Sequence, residues 1–363
     1  MQIDPRIRAL AEIFPCSLFL VGGAVRDLLR GNQPSDWDCA SELRPFSVLI
    51  WAQMMGIKSI PTGLEHGTIT LIWQQLKIEI TTFRADRQCD GRYAQVEWAN
   101  TIEDDLSRRD FTINAIAINL ATQAVVDPYE GKDDILEKII RFVGNPIERA
   151  QEDYLRLIRA ARFASRFDFK IEASTAATCK QFADCITKQL SWERIRSEFE
   201  KAFEAGASQA FLEQLEQLEL LNQLVSGKLP RTNAQTATDW WLTLFLAEPE
   251  LSICEFCKKW KLPNRIKEGI QDLIAIRDAL PAATRLSQVR LLKDQLKRIS
   301  LAEGDRFWQI QHPLCNHPRL DETPWLTGKQ LVELGLVPNV NFRLKLQQAL
   351  INQMDRAEEE QTL

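Results

Sequence analysis

The sequence predicts an α+β head of mixed sheet and helices, followed by an all-α neck, body and tail. Over residues 1–135, short β-branched runs alternate with amphipathic segments and turn signals. From about Asp133 the strand signals almost vanish, and long periodicities in Leu, Ala, Glu, Gln and Arg replace them. The chain has 363 residues, 45% apolar and 26% charged, which suits several packed domains and argues against extensive disorder.

Taken in order, Ser17 to Val21 reads as a strand, and Ala24 to Arg30 as a helix ended by Gly31-Asn32. Trp37 to Ala40 reads as a second short strand, and Pro45 to Met55 as a helix stopped by Gly56. Gly67 to Trp73 and Lys77 to Phe83 look like paired strands, and the polar stretch from Arg84 to Ile102 like a loop. These give a head over 1–135, a helical neck over 136–200, a helical body over 201–280 and a helical tail over 281–363. Leu229-Pro230-Arg231 and Leu280-Pro281 read as joints between helical parts.

No run reaches the roughly 18 apolar residues of a membrane span, and the N-terminus lacks the basic and apolar regions of a secretory signal. A cytoplasmic address is therefore expected, with no membrane and no protein partner. The net charge is −5, so any nucleic-acid contact must come from local basic patches. The eight cysteines lack framework spacing and read as reduced, buried thiols. Cys254 and Cys257, with Cys315 and His317 far downstream, make a weak zinc pattern.

The chemistry concentrates in Leu20 to Ala40. Residues two apart on a strand share a face, so Asp36 and Asp38 would present paired carboxylates, a donor set suited to Mg²⁺. The same pair also suits a solvated turn. Gly22-Gly23 at a strand end lets backbone N–H groups approach phosphate oxygens that Arg26 can also reach. Downstream, Arg108-Arg109-Asp110 reads either as phosphate neutralisation with Asp110 accepting from a ribose hydroxyl, or as an internal ion-pair cluster. Asp153, Arg156, Arg159 and Arg162 recur every third residue and form a drifting helical stripe, either a solvated face or a base-reading surface. Cytosine and adenine each show an amino donor beside a ring-nitrogen acceptor, so a carboxylate beside a guanidinium complements both and opposes uracil and guanine.

Three ordered motifs, Gly22-Gly23-Ala24-Val25-Arg26-Asp27, the Asp36-x-Asp38 pair and Arg108 to Ala115, resemble the class II tRNA nucleotidyltransferases and bacterial poly(A) polymerases. The resemblance continues through Asp127 to Gly131 and Glu152 to Ala164, and fades after Ile195. It implies a polymerase-beta-like nucleotidyltransferase head and template-independent addition of C, C and A to a tRNA 3′ end from CTP and ATP, with pyrophosphate released. By the same resemblance Asp36 and Asp38 hold Mg²⁺, and Asp153 with Arg156 acts as an amino-acid template. Gly23, Arg26, Arg109, Arg159 and Arg162 would contact the nucleotide, with Asp110 beside them. Glu79 is a candidate third catalytic carboxylate, or a cap for Arg84.

The segment from Ala85 to Ile102 departs from the family pattern after Arg92, running Tyr93-Ala94-Gln95 where many relatives carry a proline. Enzymes that add only A, or only CC, are thus alternatives. So are a poly(A) polymerase, expected to have a more basic tail, and a non-catalytic RNA-binding relative, which would not need Asp36 and Asp38. Lys258-Lys259-Trp260-Lys261, and Arg285 to Arg290 with Lys293, Lys297 and Arg298, read as phosphate contacts or as solvated faces.

Overall fold

The computed structural model describes residues 3–85, 97–229 and 237–279. The chain divides into two compact units, Met1–Leu224 and Val225–Leu363. The first opens with α1 (Pro5–Ile13), β1 (Phe19–Val21), α2 (Gly23–Leu29), β2 (Trp37–Ser41), α3 (Pro45–Met54), β3 (Lys58–Gly63), β4 (Thr68–Trp73) and β5 (Leu76–Thr82). Then come β6 (Arg84–Ala85), β7 (Glu97–Trp98), α4 (Ile102–Ser107), a 3-10 turn at Thr112–Asn114, β8 (Ala117–Asn119), β9 (Val125–Val126), α5 (Gly131–Glu137) and β10 (Ile139–Ile140). The helical remainder holds α6 (Pro146–Glu152), α7 (Leu155–Phe167), β11 (Lys170–Ile171), α8 (Ala173–Gln181), α9 (Cys185–Gln189), α10 (Trp192–Glu204), α11 (Ser208–Gln217) and α12 (Leu221–Leu224).

The head is a seven-stranded mixed sheet in the order β3-β4-β5-β2-β1-β8-β9. Only β2 and β5 run parallel; the other neighbours pair antiparallel. Central placement explains the apolar alternation of β2 and β5, because Cys39, Ile78 and Ile80 are sealed beneath flanking helices. The expected hairpin is present as β4 and β5, closed at Gln74-Gln75, both with positive φ. Two elements had no strong sequence signal. Helix α1 is short, with Asp4 capping its N-terminus, and β3 is an edge strand with mostly exposed side chains, so neither needs a sustained apolar pattern.

An aromatic column ties the sheet to the neck. Phe142 stacks on Phe111 at 5.3 Å, Phe111 meets Phe163 edge-on at 5.6 Å, and Phe163 stacks on Phe167 at 5.6 Å. Each pair adds about 0.5–1.5 kcal/mol beyond area burial and fixes the rotation of α7 against Arg108 to Asn114. Gly131 is required where α5 begins, since a Cβ there would lie 2.2 Å from the Thr112 carbonyl oxygen.

In the second unit the described helices are α13 (Ala237–Leu246), α14 (Ile253–Lys259) and α15 (Asn264–Ala279), packed around Trp241, Phe256 and Trp260. Buried Glu248 accepts from Ser226 Oγ at 2.6 Å and is paired with Lys259, so one of the lysines proposed for phosphate has a carboxylate partner. Cys257 is buried and Cys254, one helical turn away, is exposed, against the expectation of uniformly buried thiols; Cys16 and Cys185 are half-buried. The reason is position, because Cys254 falls on the outer face of α14. Residues 86–96, Pro230 to Thr236 and everything from 280 lie outside the described residues, and with them Arg285 to Arg298, Cys315, His317 and the second joint. Among the described residues no helix is long and apolar enough to cross a membrane.

Candidate active site

Two neighbouring central strands bring the carboxylates together. Asp38 on β2 stands opposite Glu79 on β5 in parallel register. β2 begins at Trp37 as expected, with Ile78 its first ladder partner, so Asp36 lies just outside the strand and a shared strand face does not set its position beside Asp38. Asp36 precedes it, exposed, and accepts from Ser35 Oγ at 2.9 Å. Burial pushes the Asp38 carboxyl above its ordinary range and Glu79 adds to the rise; Arg109 opposes it and Asp36 adds again. Glu79 pairs with Lys77 at 2.7 Å and not with Arg84, since residues 77 and 79 share a face of β5.

Arg109 lies against the glycine turn. Gly22 has φ +64°, and a Cβ on it would fall 2.8 Å from Arg109 Nη1. Arg109 donates from Nη2 to Asp105 at 3.0 Å and from Nη1 to the Asn114 carbonyl at 3.3 Å. Its Nε is buried with no hydrogen-bond partner among the described residues. The half-buried Arg109 guanidinium thus keeps an unused donor beyond its bonds to Asp105 and Asn114.

Arg26 is buried, donates to Asn114 Oδ1 at 2.7 Å and to Asp27 Oδ1 at 3.0 Å, and lies 4.6 Å from the Phe167 ring centroid. Asn114 also donates to Asp110 at 3.0 Å, linking Arg26 to the Arg159 pair. Asp110 accepts from Arg159 Nε at 2.9 Å and Nη2 at 2.5 Å on one oxygen, and from Phe111 N at 2.9 Å and Asn114 on the other. Burial pushes Asp110 up, but Arg159 and these hydrogen bonds outweigh it and bring the carboxyl down to about 2. With four donors on its two oxygens, Asp110 occupies the ion-pair arrangement rather than offering a free acceptor to a ribose hydroxyl.

The arginine stripe is real but starts later than expected. Helix α7 begins at Leu155, so Asp153 stands before it in extended conformation, capping Leu155 N at 3.1 Å and pairing with Arg194 at 2.7 Å. Asp153 and Arg156 therefore do not sit together on the helical stripe, and each has another partner. Arg156 bonds Glu152 at 2.5 Å and the Arg149 and Arg108 carbonyls, each at 2.9 Å. Steps of three fall about 60° short of a full turn, so the stripe rotates along the helix. Arg156 and Arg159 reach the 108–110 segment, whereas Arg162 turns to α10 and meets Glu198 at 2.5 Å.

Three supporting residues escaped the sequence reading. Asp105, 1% exposed, binds both Arg108 and Arg109 and accepts from Arg84 N at 3.2 Å. Glu198, also 1% exposed, binds Arg162, lies 3.8 Å from Arg159 and accepts from Lys201 at 2.9 Å. Asn114 is the third. A signal existed for the two acids: Asp105 follows Ile102 by three and Glu198 follows Ile195 by three, so each is a charge on a buried helix face.

The chain is similar to known proteins over most of its length. A family profile described as "Poly A polymerase head domain" matches residues 18–141, and one described as "Probable RNA and SrmB- binding site of polymerase A" matches residues 168–232. The CCA-adding enzyme of Bacillus subtilis is 32% identical over 354 residues, covering 91% of this chain and 87% of its own length. That of Enterococcus faecalis is 34% identical over 271 residues, covering 70% of this chain; the match spans 65% of that relative's length. The crystal structure of the Bacillus stearothermophilus CCA-adding enzyme in complex with CTP aligns with a TM-score of 0.70 and 26% identity, over 98% of this chain and 94% of that one. A relative alike over nearly its whole length and a solved fold that spans the chain lead to one assignment: the chain belongs to the family of CCA-adding enzymes.

Proposed function

We propose that this chain is a template-independent tRNA nucleotidyltransferase that adds C, C and A to the tRNA 3′ end from CTP and ATP, releasing pyrophosphate. The observation that supports it best is geometric: Asp38 stands in register with Glu79 on neighbouring central strands, while Arg109 lies against the Gly22 turn at the end of the adjoining strand. Carboxylates facing a phosphate-seeking guanidinium suit in-line nucleotidyl transfer.

The donor set fits Mg²⁺. Among the described residues no three His, Cys, Asp or Glu side chains form a metal cluster, so Asp36 and Asp38 would hold the ion, with further oxygen ligands supplied from outside the protein. Bound there, Mg²⁺ supplies charge neutralisation at the phosphates and the attacking hydroxyl. Glu79 is placed to share that role or to orient Lys77.

The chain's own groups supply binding and orientation. Arg109 and Arg26 take the phosphates beside the Gly22-Gly23 turn, and Arg159 reaches the same face. Asp110 and Glu198 hold Arg159 and Arg162 in place. Asp153 and Arg156 read the base edge. Their present partners suit that role, because the Arg194 pair and the Glu152 carboxylate are partly exposed. The exposed Asp153–Arg194 pair is worth roughly 0–1 kcal/mol and exchanges readily for a base contact, whereas Arg156 is held more firmly by Glu152 and two carbonyls. A cytoplasmic location suits this substrate.

The test is incubation with Mg²⁺, unmodified tRNA lacking its last three nucleotides, and each NTP singly and together. Addition of one C, a second C and then one A is expected. A long adenosine tail would replace the proposal with poly(A) synthesis, and arrest after CC, or addition of A alone, with a partial specialist. Exchanging the pair, Asp153→Arg with Arg156→Asp, should admit UTP or GTP, scored by competition among four NTPs; an unchanged C and A preference refutes the template role. Gly22→Ala should stay folded but lose about 10²-fold in kcat/KM for CTP, because the Cβ displaces Arg109. Wild-type kcat/KM would show that this contact is not needed.

A further inference from the structure

Beyond the nucleotide face, the far end of α7 carries a second set of guanidiniums. Arg26, Arg30 and Arg166 lie 4.6, 4.3 and 5.4 Å from the centroid of the Phe167 ring, and Arg30 also lies 5.5 Å from that of Phe169. Arg26 is paired with Asp27. Arg30, half-buried, and Arg166, exposed, have no carboxylate or hydrogen-bond acceptor for their guanidiniums among the described residues. Around Phe163 and Phe167 the guanidiniums of Arg26, Arg30, Arg159, Arg162 and Arg166 number five. The acids paired with that group are three, Asp27, Asp110 and Glu198.

Positive charge is thus concentrated locally in a chain whose net charge is −5. The crowding has a cost: burial lowers the Arg26 pKa, Asp27 opposes that, and Arg166 and Arg30 lower it further. Both free arginines stand at helix C-termini, where the dipole favours a cation. That interaction, with the aromatic faces, holds the side chains in place but uses few of the five N–H donors on each guanidinium. What remains are unused donors on a half-buried Arg30 and an exposed Arg166. Phe167 and Phe169 are buried, so the patch offers charge without an aromatic platform for a base.

We propose that Arg30 and Arg166 form a docking patch for the phosphodiester backbone of the RNA substrate, separate from the incoming nucleotide. Along α7, Arg166 follows Arg159 by two turns, about 10 Å; Arg30 follows Arg26 by one turn at the end of α2, so the patch adjoins the nucleotide face. RNA is favoured over a free anion because the patch continues the nucleotide face along one helix and adjoins the segment matched by the RNA-binding profile, which begins at residue 168. The proposal rests on the tRNA reading above.

The experiment measures equilibrium binding of tRNA lacking its CCA end, and of CTP, to the full chain over a range of KCl concentrations. Variants are Arg30→Gln, Arg166→Gln and the double Arg30→Gln/Arg166→Gln, with thermal melting confirming the fold. In the double variant the tRNA Kd should rise by about tenfold and the slope of log K against log salt should flatten by about 1–2, with the CTP Kd unmoved. An unchanged tRNA Kd and slope would overturn the proposal, leaving the arginines as helix-end charges. Weakened CTP binding with unchanged tRNA binding would overturn it in favour of a triphosphate site. Should Arg30→Gln melt early, Arg166→Gln alone must still flatten the slope. Wild-type protein that binds no tRNA would overturn the proposed function as well, which distinguishes the two failures.

Discussion

Asp38→Asn should abolish nucleotide incorporation, lowering kcat by about 10³-fold or more, while tRNA binding and the fold persist. Asp38 is central in the sheet, flanked by Trp37 and Cys39, both buried, and fixed in register with Glu79. The amide keeps the shape and removes the charge. Loss of an electrostatic contribution of several kcal/mol at a reacting phosphate corresponds to a rate loss of that order. Stability should hold or rise slightly, because burial and Glu79 already disfavour the ionised form of Asp38. The check is incorporation of labelled CMP into tRNA alongside thermal melting. Retained turnover above a tenth of wild type would remove Asp38 from the chemistry, and a collapsed melting curve would make it structural. Asp36→Ala should lose incorporation too, with a smaller effect on the fold because Asp36 is exposed and outside the strand.

Glu198→Ala should have the largest effect on stability, about 3–5 kcal/mol, read as a shift in the urea midpoint. The carboxylate is buried between α7 and α10 and faces Arg162, Arg159 and Lys201. Removing it leaves Arg162, 4% exposed, as an unpaired buried cation. Glu198→Gln should fall between, since the amide oxygen still accepts one bond. Burial pushes Glu198 up, but Arg162 and Arg159 outweigh it and hold its carboxyl below the usual range. The unfolded chain therefore binds a proton more readily, so the contribution is present above the ordinary glutamate range and lost as pH falls through the lowered value. Asp110 behaves alike, its contribution fading as pH falls from the ordinary aspartate value of 3.8 to about 2. Glu198→Gln should show a shallower acid-induced loss of stability than wild type; an equal slope would mean that Glu198 is not ionised in the native state.

Short-range patterning determined much of this protein. The strand, glycine turn and helix at Phe19–Leu29, the strand carrying Asp38 and the β4–β5 hairpin follow from residue periodicity and turn chemistry, which act within a few residues. The ordered motifs around Gly22, Asp38 and Arg109 also make the family legible. Partners distant in sequence were another matter. That Arg26 reaches Asn114, Arg159 reaches Asp110 and Arg162 reaches Glu198 depends on how the aromatic column turns α7 against the sheet. Asp153 looked helical because its spacing to Arg156 is three, but its own carboxylate caps Leu155 and its partner is Arg194 from α10. Spacing alone cannot decide whether a residue lies inside a helix or just before it. The sequence thus determined the candidate residues of the motifs, but not Asp105, Glu198 or Asn114 as their supports. Only tertiary packing decided which groups pair with one another and which, like Arg30 and Arg166, have no acceptor among the described residues. Ion pairs form between surfaces that meet only when helices and sheet dock, and no local pattern encodes that meeting.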